Sequence, residues 1–342
     1  MNEELSYYKL IHLMNCFMKE RHGLFLIVLD FEMLWGVEPA KATPQWRERV
    51  ANVHRVIPRL LELFGRYDIS ATFAAVGMLL HDSMVAVRVG YPDLLPSYAD
   101  KALSPYSSLP VAEEDSIYYC GGHLLEMIRK SGKHEIASHT YSHYYCLAQG
   151  QTPEQFRADL QKNISLALDK GIKITSLVFP RNEFNIDYLN ICRELGISVV
   201  RSNPGQWMWK DGGQIGRWLP RQIRRALRLL DCYTGPVRCF QPGGLLTEPV
   251  VQLPGSRFCR PVGKSGRWMD SLRLRRIEQE MTYAAKNNQG YCLWWHPHNM
   301  GRDMDKNFSL IEKILSHYES LRKDYGFQSV PMNYFANIGG QS

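Results

Sequence analysis

The chain has 342 residues, of which 45% are hydrophobic, so it can bury a sizeable core in one large domain or two ordinary ones. Its formal net charge of +7 is modest, and its lysines and arginines are scattered, which argues against a nucleic-acid-binding arm. The eight cysteines include no C-x-x-C pair, so neither a zinc knuckle nor a disulfide framework is predicted.

The N-terminus lacks the features of an export signal. Glu3 and Glu4 stand where a basic region would be expected, and no run approaches the roughly 20 apolar residues of a membrane span. A cytoplasmic protein without a transmembrane segment is therefore predicted. The basic, leucine-bearing stretch 217–228 would suit peripheral contact with an anionic inner membrane face, although a solvated helix face is an equally good interpretation.

Short apolar runs alternate with helical stretches along the chain. Residues 47–67 and 153–170 have the apolar spacing of helices, and Thr152 before Pro153 is typical of a helix start. The alternation predicts an α/β barrel or an open α/β sheet. The apolar runs, which are predicted to be buried parallel strands, lie at 23–30, 69–77, 134–138, 174–179, 197–201 and 290–296.

The first run ends in two carboxylates. Asp30 and Glu32 are two residues apart, so strand alternation directs both side chains to the same side. The carboxyl ends of strands are where barrel enzymes gather their catalytic groups. One carboxylate could help to hold a metal ion while the other takes a proton from water. A solvated strand-to-loop junction is the alternative.

Two histidines follow the third run. His139 and His143 have the i, i+4 spacing that places side chains on one face of a helical turn, and imidazole suits zinc and neighbouring metals. Alone, this spacing is a weak signal, because polar residues are common at strand ends.

Three segments in order resemble the polysaccharide deacetylases, a NodB-like family also classed as carbohydrate esterase family 4. Residues 25–36 resemble the family's first motif in a D-x-E variant, residues 70–77 resemble its second strand, and residues 134–143 resemble its metal-binding segment. The resemblance implies a distorted (β/α) barrel. Residues 1–342 would form one catalytic domain.

Two irregular stretches are expected to be insertions in that domain. They lie at about 82–120, where the chain is rich in Pro, Ser and Tyr, and at about 203–269, where it is dense in Gly, Pro and Arg. The first is predicted to lie near the active face.

The implied activity is metal-dependent hydrolysis of an N-acyl group, with acetyl favoured, from an amino sugar. The implied cofactor is one divalent metal ion, with zinc favoured. Because a cytoplasmic location is predicted, a nucleotide- or lipid-linked precursor of a surface polysaccharide is favoured over a finished wall polymer. An allantoinase-like amidase acting on a non-sugar amide and a non-catalytic sugar-binding protein are the rival interpretations.

The resemblance also assigns roles to single residues. It makes His139, His143 and Glu32 the metal ligands and Asp30 the general base, although the D-x-E spacing leaves the two carboxylate roles exchangeable. Arg181 matches the arginine that keeps the family's catalytic aspartate ionised, as a guanidinium beside a carboxylate lowers its pKa. A surface arginine is the alternative.

The last run resembles the family's final motif, in which a histidine protonates the departing amine. His296 fits that position, since histidine side chains titrate near neutrality. His298, Asn182 and Trp295 are predicted to contact substrate. No counterpart of the family's aspartate partner for the acid histidine is evident in the sequence.

Overall fold

The structure is a computed structural model, which describes residues 22–37, 43–107, 112–203, 233–245, 247–263 and 267–336. Much of the second predicted insertion, including the basic stretch 217–228, lies outside the described residues. Within the described ranges, no helix combines the length and the apolar character needed to cross a membrane.

The described strands form a single sheet. Their bounds are β1 Leu24–Phe31, β2 Ala71–Ala75, β3 Glu135–Ser138, β4 Ser176–Val178, β5 Val199–Ser202, β6 Val251–Pro254, β7 Arg257–Phe258, β8 Gly290–Trp295 and β9 Gln328–Ser329. The order is β6-β5-β4-β3-β2-β1-β8-β7, with β9 beside β1, and the paired strands run parallel. The six predicted strands are confirmed as β1 to β5 and β8.

The two edge strands of this sheet, β6 and β7, are consecutive in the chain. After β6, the Gly255 N–H donates to the carbonyl of Ser202 at the end of β5, and the Ser256 N–H donates to the carbonyl of Cys292 in β8, each at 2.9 Å. The sheet therefore curls back on itself, and the predicted distorted (β/α) barrel is confirmed. Residues 251–254 and 257–258 belong to the sheet as β6 and β7. They were not predicted as strands because strands this short carry too little alternation to be recognised.

Helices surround the sheet. Their bounds are α1 Pro44–Ala51, α2 Val53–Arg66, α3 Met84–Val89, α4 Ser116–Tyr119, α5 Gly122–Lys130, α6 Pro153–Asp169, α7 Ile186–Glu194, α8 Arg267–Lys286 and α9 Met304–Tyr325. The helix predicted at 47–67 is two helices, α1 and α2, that meet at Asn52. The helix predicted at 153–170 is confirmed as α6, where Thr152 and Gln155 form a capping box.

Strand alternation divides the buried side chains into two cores. In β1, every second residue from Phe25 to Phe31 belongs to a large hydrophobic core that also contains helix residues. Leu24, Leu26 and Val28 join a second core, which contains side chains from the strands and the C-terminal segment. The second core is the barrel interior.

At the carboxyl ends of the strands, polar side chains occupy the positions that face the barrel interior. Asp30 follows Val28 in β1, and Arg201 follows Val199 in β5, each at the next interior position. His139 stands in the same relation to Ala137, just beyond β3. The barrel therefore gathers a carboxylate, a guanidinium and an imidazole at one mouth.

Candidate active site

The carboxylate of Asp30 is bound by Arg201 at the barrel mouth. Arg201 donates from Nη1 to Oδ1 at 2.6 Å and from Nη2 to Oδ2 at 2.8 Å. Burial alone would raise the pKa of Asp30, which is 3% exposed, but the Arg201 guanidinium holds that pKa below its ordinary value. Asp30 is therefore a fixed, ionised carboxylate near neutral pH.

The predicted pair between Arg181 and Asp30 is wrong. The Arg181 side chain is exposed, and its guanidinium carbon lies 4.1 Å from the ring centre of Tyr145. Arg181 lies in the turn after β4, where its φ of 59° takes the chain out of the strand direction. Arg201 reaches Asp30 instead, because it lies on the interior side of β5.

Asn182 supports Arg201. Its Oδ1 accepts hydrogen bonds from Arg201 Nε at 3.1 Å and from Nη2 at 3.0 Å. The guanidinium carbon also lies 4.3 Å from the ring centre of Trp294. The side-chain oxygen of Asn182, which was predicted to contact substrate, is thus occupied in orienting the partner of Asp30.

Glu32, His139 and His143 converge beside this pair. Glu32 Oε2 lies 3.1 Å from His143 Nε2 and 3.5 Å from His139 Nε2. One ligand atom from each residue lies within 4.8 Å of the others, and all three side chains are buried. Nδ1 of His139 lies 2.8 Å from the carbonyl oxygen of Val178, which can only accept a hydrogen bond. Nδ1 therefore carries the proton, and the lone pair of Nε2 faces Glu32.

The charge states of this cluster suit metal binding. Burial would raise the pKa of Glu32, but the neighbouring imidazoles of His296, His139 and His143 hold it well below its ordinary value. Burial lowers the pKa of His143, and the nearby Arg181 charge acts in the same direction. One carboxylate and two imidazoles are donors that fit a divalent metal ion and leave a further coordination position open.

A loop, and not the predicted helical turn, brings the two histidines together. Thr140 and His143 have left-handed backbones, with φ values of 63° and 57°. The carboxylate of Asp159 in α6 accepts hydrogen bonds from the N–H of Tyr141 at 2.7 Å and of Ser142 at 3.1 Å. Burial raises the pKa of Asp159 to about 7. Asp159 was missed in the sequence because an acidic residue in a helix is usually solvated.

Close packing around Glu32 leads to a first prediction. A Cβ added at Gly36 would lie 2.2 Å from Cδ of Glu32, so Gly36→Ala must displace that carboxylate. We expect metal affinity to fall by roughly 10- to 100-fold, as when the support of a ligand is lost. Titration against a metal-buffering chelator measures the change.

Gly65→Ala is the matched control for this substitution. Gly65 lies in α2, and an added Cβ there meets no atom within 4 Å. The alanine should leave metal affinity unchanged and favour the helix slightly. Equal affinities of the two variants would mean that Glu32 does not hold the ion.

His296 stands on the other side of the carboxylates. Its Nε2 lies 3.8 Å from Oδ2 of Asp30 and 3.6 Å from Oε1 of Glu32, and its side chain is 23% exposed. Nδ2 of Asn299 lies 3.3 Å from Nδ1 of His296. Asn299 was not predicted, although its i+3 position in a 3₁₀ turn after a strand is a usable signal.

The two neighbours of His296 that were predicted to contact substrate are buried. Trp295 is fully buried in the core beneath the helices, so its predicted substrate contact is wrong. Successive side chains of a strand point to opposite faces, so Trp295 faces away from the site while His296 faces the mouth of the barrel. His298 is 3% exposed and stacks on the His296 ring with centroids 5.1 Å apart, and burial lowers its pKa to about 3. It therefore supports that ring from behind.

A sequence comparison finds a family likeness in the middle of the chain. Residues 48–200 match the sequence model of the polysaccharide deacetylases. This stretch is therefore similar to the polysaccharide deacetylase family. The match includes His139 and His143, whereas Asp30, Glu32 and His296 lie outside it. A comparison with curated proteins gave no match.

Solved structures are similar in fold over nearly the whole chain. A protein named as a polysaccharide deacetylase from Mycobacterium smegmatis is 14% identical, with a TM-score of 0.58 over 93% of this chain and 90% of its own. One from Pseudomonas aeruginosa PAO1 is 12% identical, with a TM-score of 0.55 and coverages of 92% and 90%. The Puue allantoinase is 13% identical, with a TM-score of 0.55 and coverages of 92% and 89%. These likenesses establish the deacetylase fold.

Proposed function

We propose that the protein is a metal-dependent hydrolase that removes an N-acyl group, in the simplest case acetyl, from an amino sugar. The observation that carries this proposal is the buried cluster of Glu32, His139 and His143 beside Asp30 and His296 at the barrel mouth. Amide hydrolysis needs a polarised carbonyl, a base for water and an acid for the leaving nitrogen. The match of residues 48–200 to the sequence model of the polysaccharide deacetylases supports the same chemistry.

One divalent ion would be held by Glu32, His139 and His143. Their two nitrogen donors and one oxygen donor favour zinc. When bound, the ion would polarise the acyl carbonyl and lower the pKa of a water molecule. Glu32 is the better candidate for the carboxylate ligand, since its Oε2 lies within 3.5 Å of both histidine Nε2 atoms.

Asp30 serves as the general base. It takes a proton from water as the water oxygen bonds to the carbonyl carbon. Arg201 keeps the carboxylate ionised and restricts it to one orientation through two hydrogen bonds. Asn182 and Trp294 in turn hold the guanidinium, so the base is oriented by a partly buried network.

His296 serves as the general acid. Its Nε2 donates a proton to the nitrogen as the C–N bond breaks, and the products are a free amine and a carboxylate. The contact of Asn299 with Nδ1 fixes the ring so that Nε2 faces the site.

We expect His296→Ala to lower turnover by something on the order of 10²-fold or more, because it removes the proton donor. Metal content should stay at the wild-type level, since His296 is not among the three ligands. His298→Ala removes only the ring behind the acid and should cost less. Steady-state kinetics with metal analysis of both variants measures this, and a larger loss in His298→Ala would transfer the acid role to His298.

The favoured substrate is an N-acetylated sugar linked to a nucleotide or a lipid, as a precursor of a surface polysaccharide. The test offers the metal-loaded protein UDP-N-acetylglucosamine, chitin oligomers and allantoin, with mass spectrometry of the products. We expect acetate to be released from an N-acetylated sugar, which leaves a sugar with a free amino group. Hydrolysis of allantoin alone would indicate a non-sugar amidase, and sugar binding without acyl release would indicate a non-catalytic sugar-binding protein.

A further inference from the structure

Arg181 is an arginine at the barrel mouth that the proposed reaction does not use. It follows β4 in the turn Pro180–Asn182 and is exposed. Two buried arginines elsewhere each have a carboxylate partner, Arg201 with Asp30 and Arg257 with Glu280. Among the residues that the structure describes, no carboxylate forms an ion pair with Arg181. Its positive charge is therefore available to a ligand.

The position of this charge is well defined. Arg181 and Asn182 both have left-handed backbones, with φ values of 59° and 52°, and Asn182 is tied to Arg201 through its side chain. The Arg181 guanidinium lies over the ring of Tyr145 at 4.1 Å. The Tyr145 ring contacts the ring of His143, with centroids 5.1 Å apart and an interplanar angle of 85°. One aromatic ring thus separates the cation from a candidate metal ligand.

We infer that Arg181 binds an anionic group of the substrate. A guanidinium offers planar, paired N–H donors that match the oxygens of a phosphate or a carboxylate. Asp30 and Glu32 do not compete for it, because Asp30 is paired with Arg201 and Glu32 lies against His143. The ligand class is an N-acyl amino sugar with a phosphate or carboxylate on the same sugar ring. This inference rests on the proposed function and specifies its substrate.

The test measures binding without turnover. In an Asp30→Asn background, calorimetry compares neutral N-acetylglucosamine with N-acetylglucosamine 1-phosphate and N-acetylmuramic acid. At least one anionic sugar should bind more tightly than the neutral sugar, and the stronger of the two identifies phosphate or carboxylate as the recognised group. Adding Arg181→Gln should weaken anionic binding by roughly tenfold or more, as expected for lost charge-assisted hydrogen bonds, and leave neutral binding unchanged.

Arg66→Gln is the matched control. Arg66 is an exposed arginine in the last turn of α2, next to the start of β2 and so at the opposite end of the barrel from the site. It makes a surface ion pair with Glu312, which contributes little stability. This variant should bind all three sugars as the background does.

Turnover by chains with Asp30 intact distinguishes failure of the anion-binding inference from failure of the proposed function. Arg181→Gln should lower kcat/KM for the anionic sugar selectively. Equal losses for neutral and anionic sugars, or no loss, would overturn the anion-binding role. If the wild type releases acetate equally well from neutral and anionic sugars, the inference fails while the proposed function stands. If it neither binds nor deacylates any of them, both fail.

Discussion

Asp30→Asn is expected to remove nearly all turnover while metal content stays at the wild-type level. The amide keeps the shape of the carboxylate but cannot accept the proton from water, and a positioned base contributes roughly 10²- to 10⁴-fold. The ion should remain because Glu32, and not Asp30, lies within 3.5 Å of both histidine Nε2 atoms. Steady-state kinetics and metal analysis of the same preparation measure the two effects.

The change also leaves Arg201 without an ionised partner. Arg201 is 1% exposed, so some stability is lost with the ion pair. Asn182 and Trp294 still contact the guanidinium, and the amide oxygen of the new side chain can accept one of its hydrogen bonds. Thermal denaturation of the variant therefore has to accompany the kinetics, so that loss of the base is distinguished from loss of the folded chain.

Glu32→Gln is the paired variant for this experiment. A neutral amide oxygen is a weaker ligand than a carboxylate, so metal affinity should fall first and activity should fall with it. Excess metal should restore part of the activity of Glu32→Gln and none of that of Asp30→Asn. A metal-free Asp30→Asn beside a metal-loaded Glu32→Gln would exchange the two carboxylate roles.

The double change His139→Ala and His143→Ala should empty the metal site. Wild-type protein should hold about one divalent ion per chain, and removing two of three ligands leaves Glu32 alone. Hydrolysis should fall with the metal, because neither carbonyl polarisation nor water activation remains. Metal analysis after dialysis against a weak chelator gives the result.

The chain offers a second histidine pair as the control for this double change. His54 and His123 lie near the surface, with Nδ1 of His54 3.1 Å from Nε2 of His123, and neither belongs to the ligand cluster. His54→Ala with His123→Ala removes the same number of imidazoles and should leave metal content unaltered. If instead the His139 and His143 double variant kept its metal, the assignment of the site would be wrong.

Local periodicity was sufficient to predict six of the nine described strands and half of the site. Six strands were recognised because an apolar run buried on both faces is a property of the run itself. The joint direction of Asp30 and Glu32 follows from the two-residue period of a strand, and the structure has both at the mouth of the barrel. The residues of the H-x-x-x-H segment do approach one another, although the predicted helical turn is a loop.

Only the tertiary structure decided which residues support the reacting groups. The arginine beside Asp30 comes from a strand 171 positions further along the chain, and no local pattern distinguishes Arg201 from Arg181. Asp159 holds the histidine loop from a helix whose own spacing gives no sign of that contact. Trp295 and His296 are adjacent in sequence, yet one is buried in the core beneath the helices and the other faces the site. Periodicity determines which side chains share a face, whereas the curling of the sheet determines which of those faces meet.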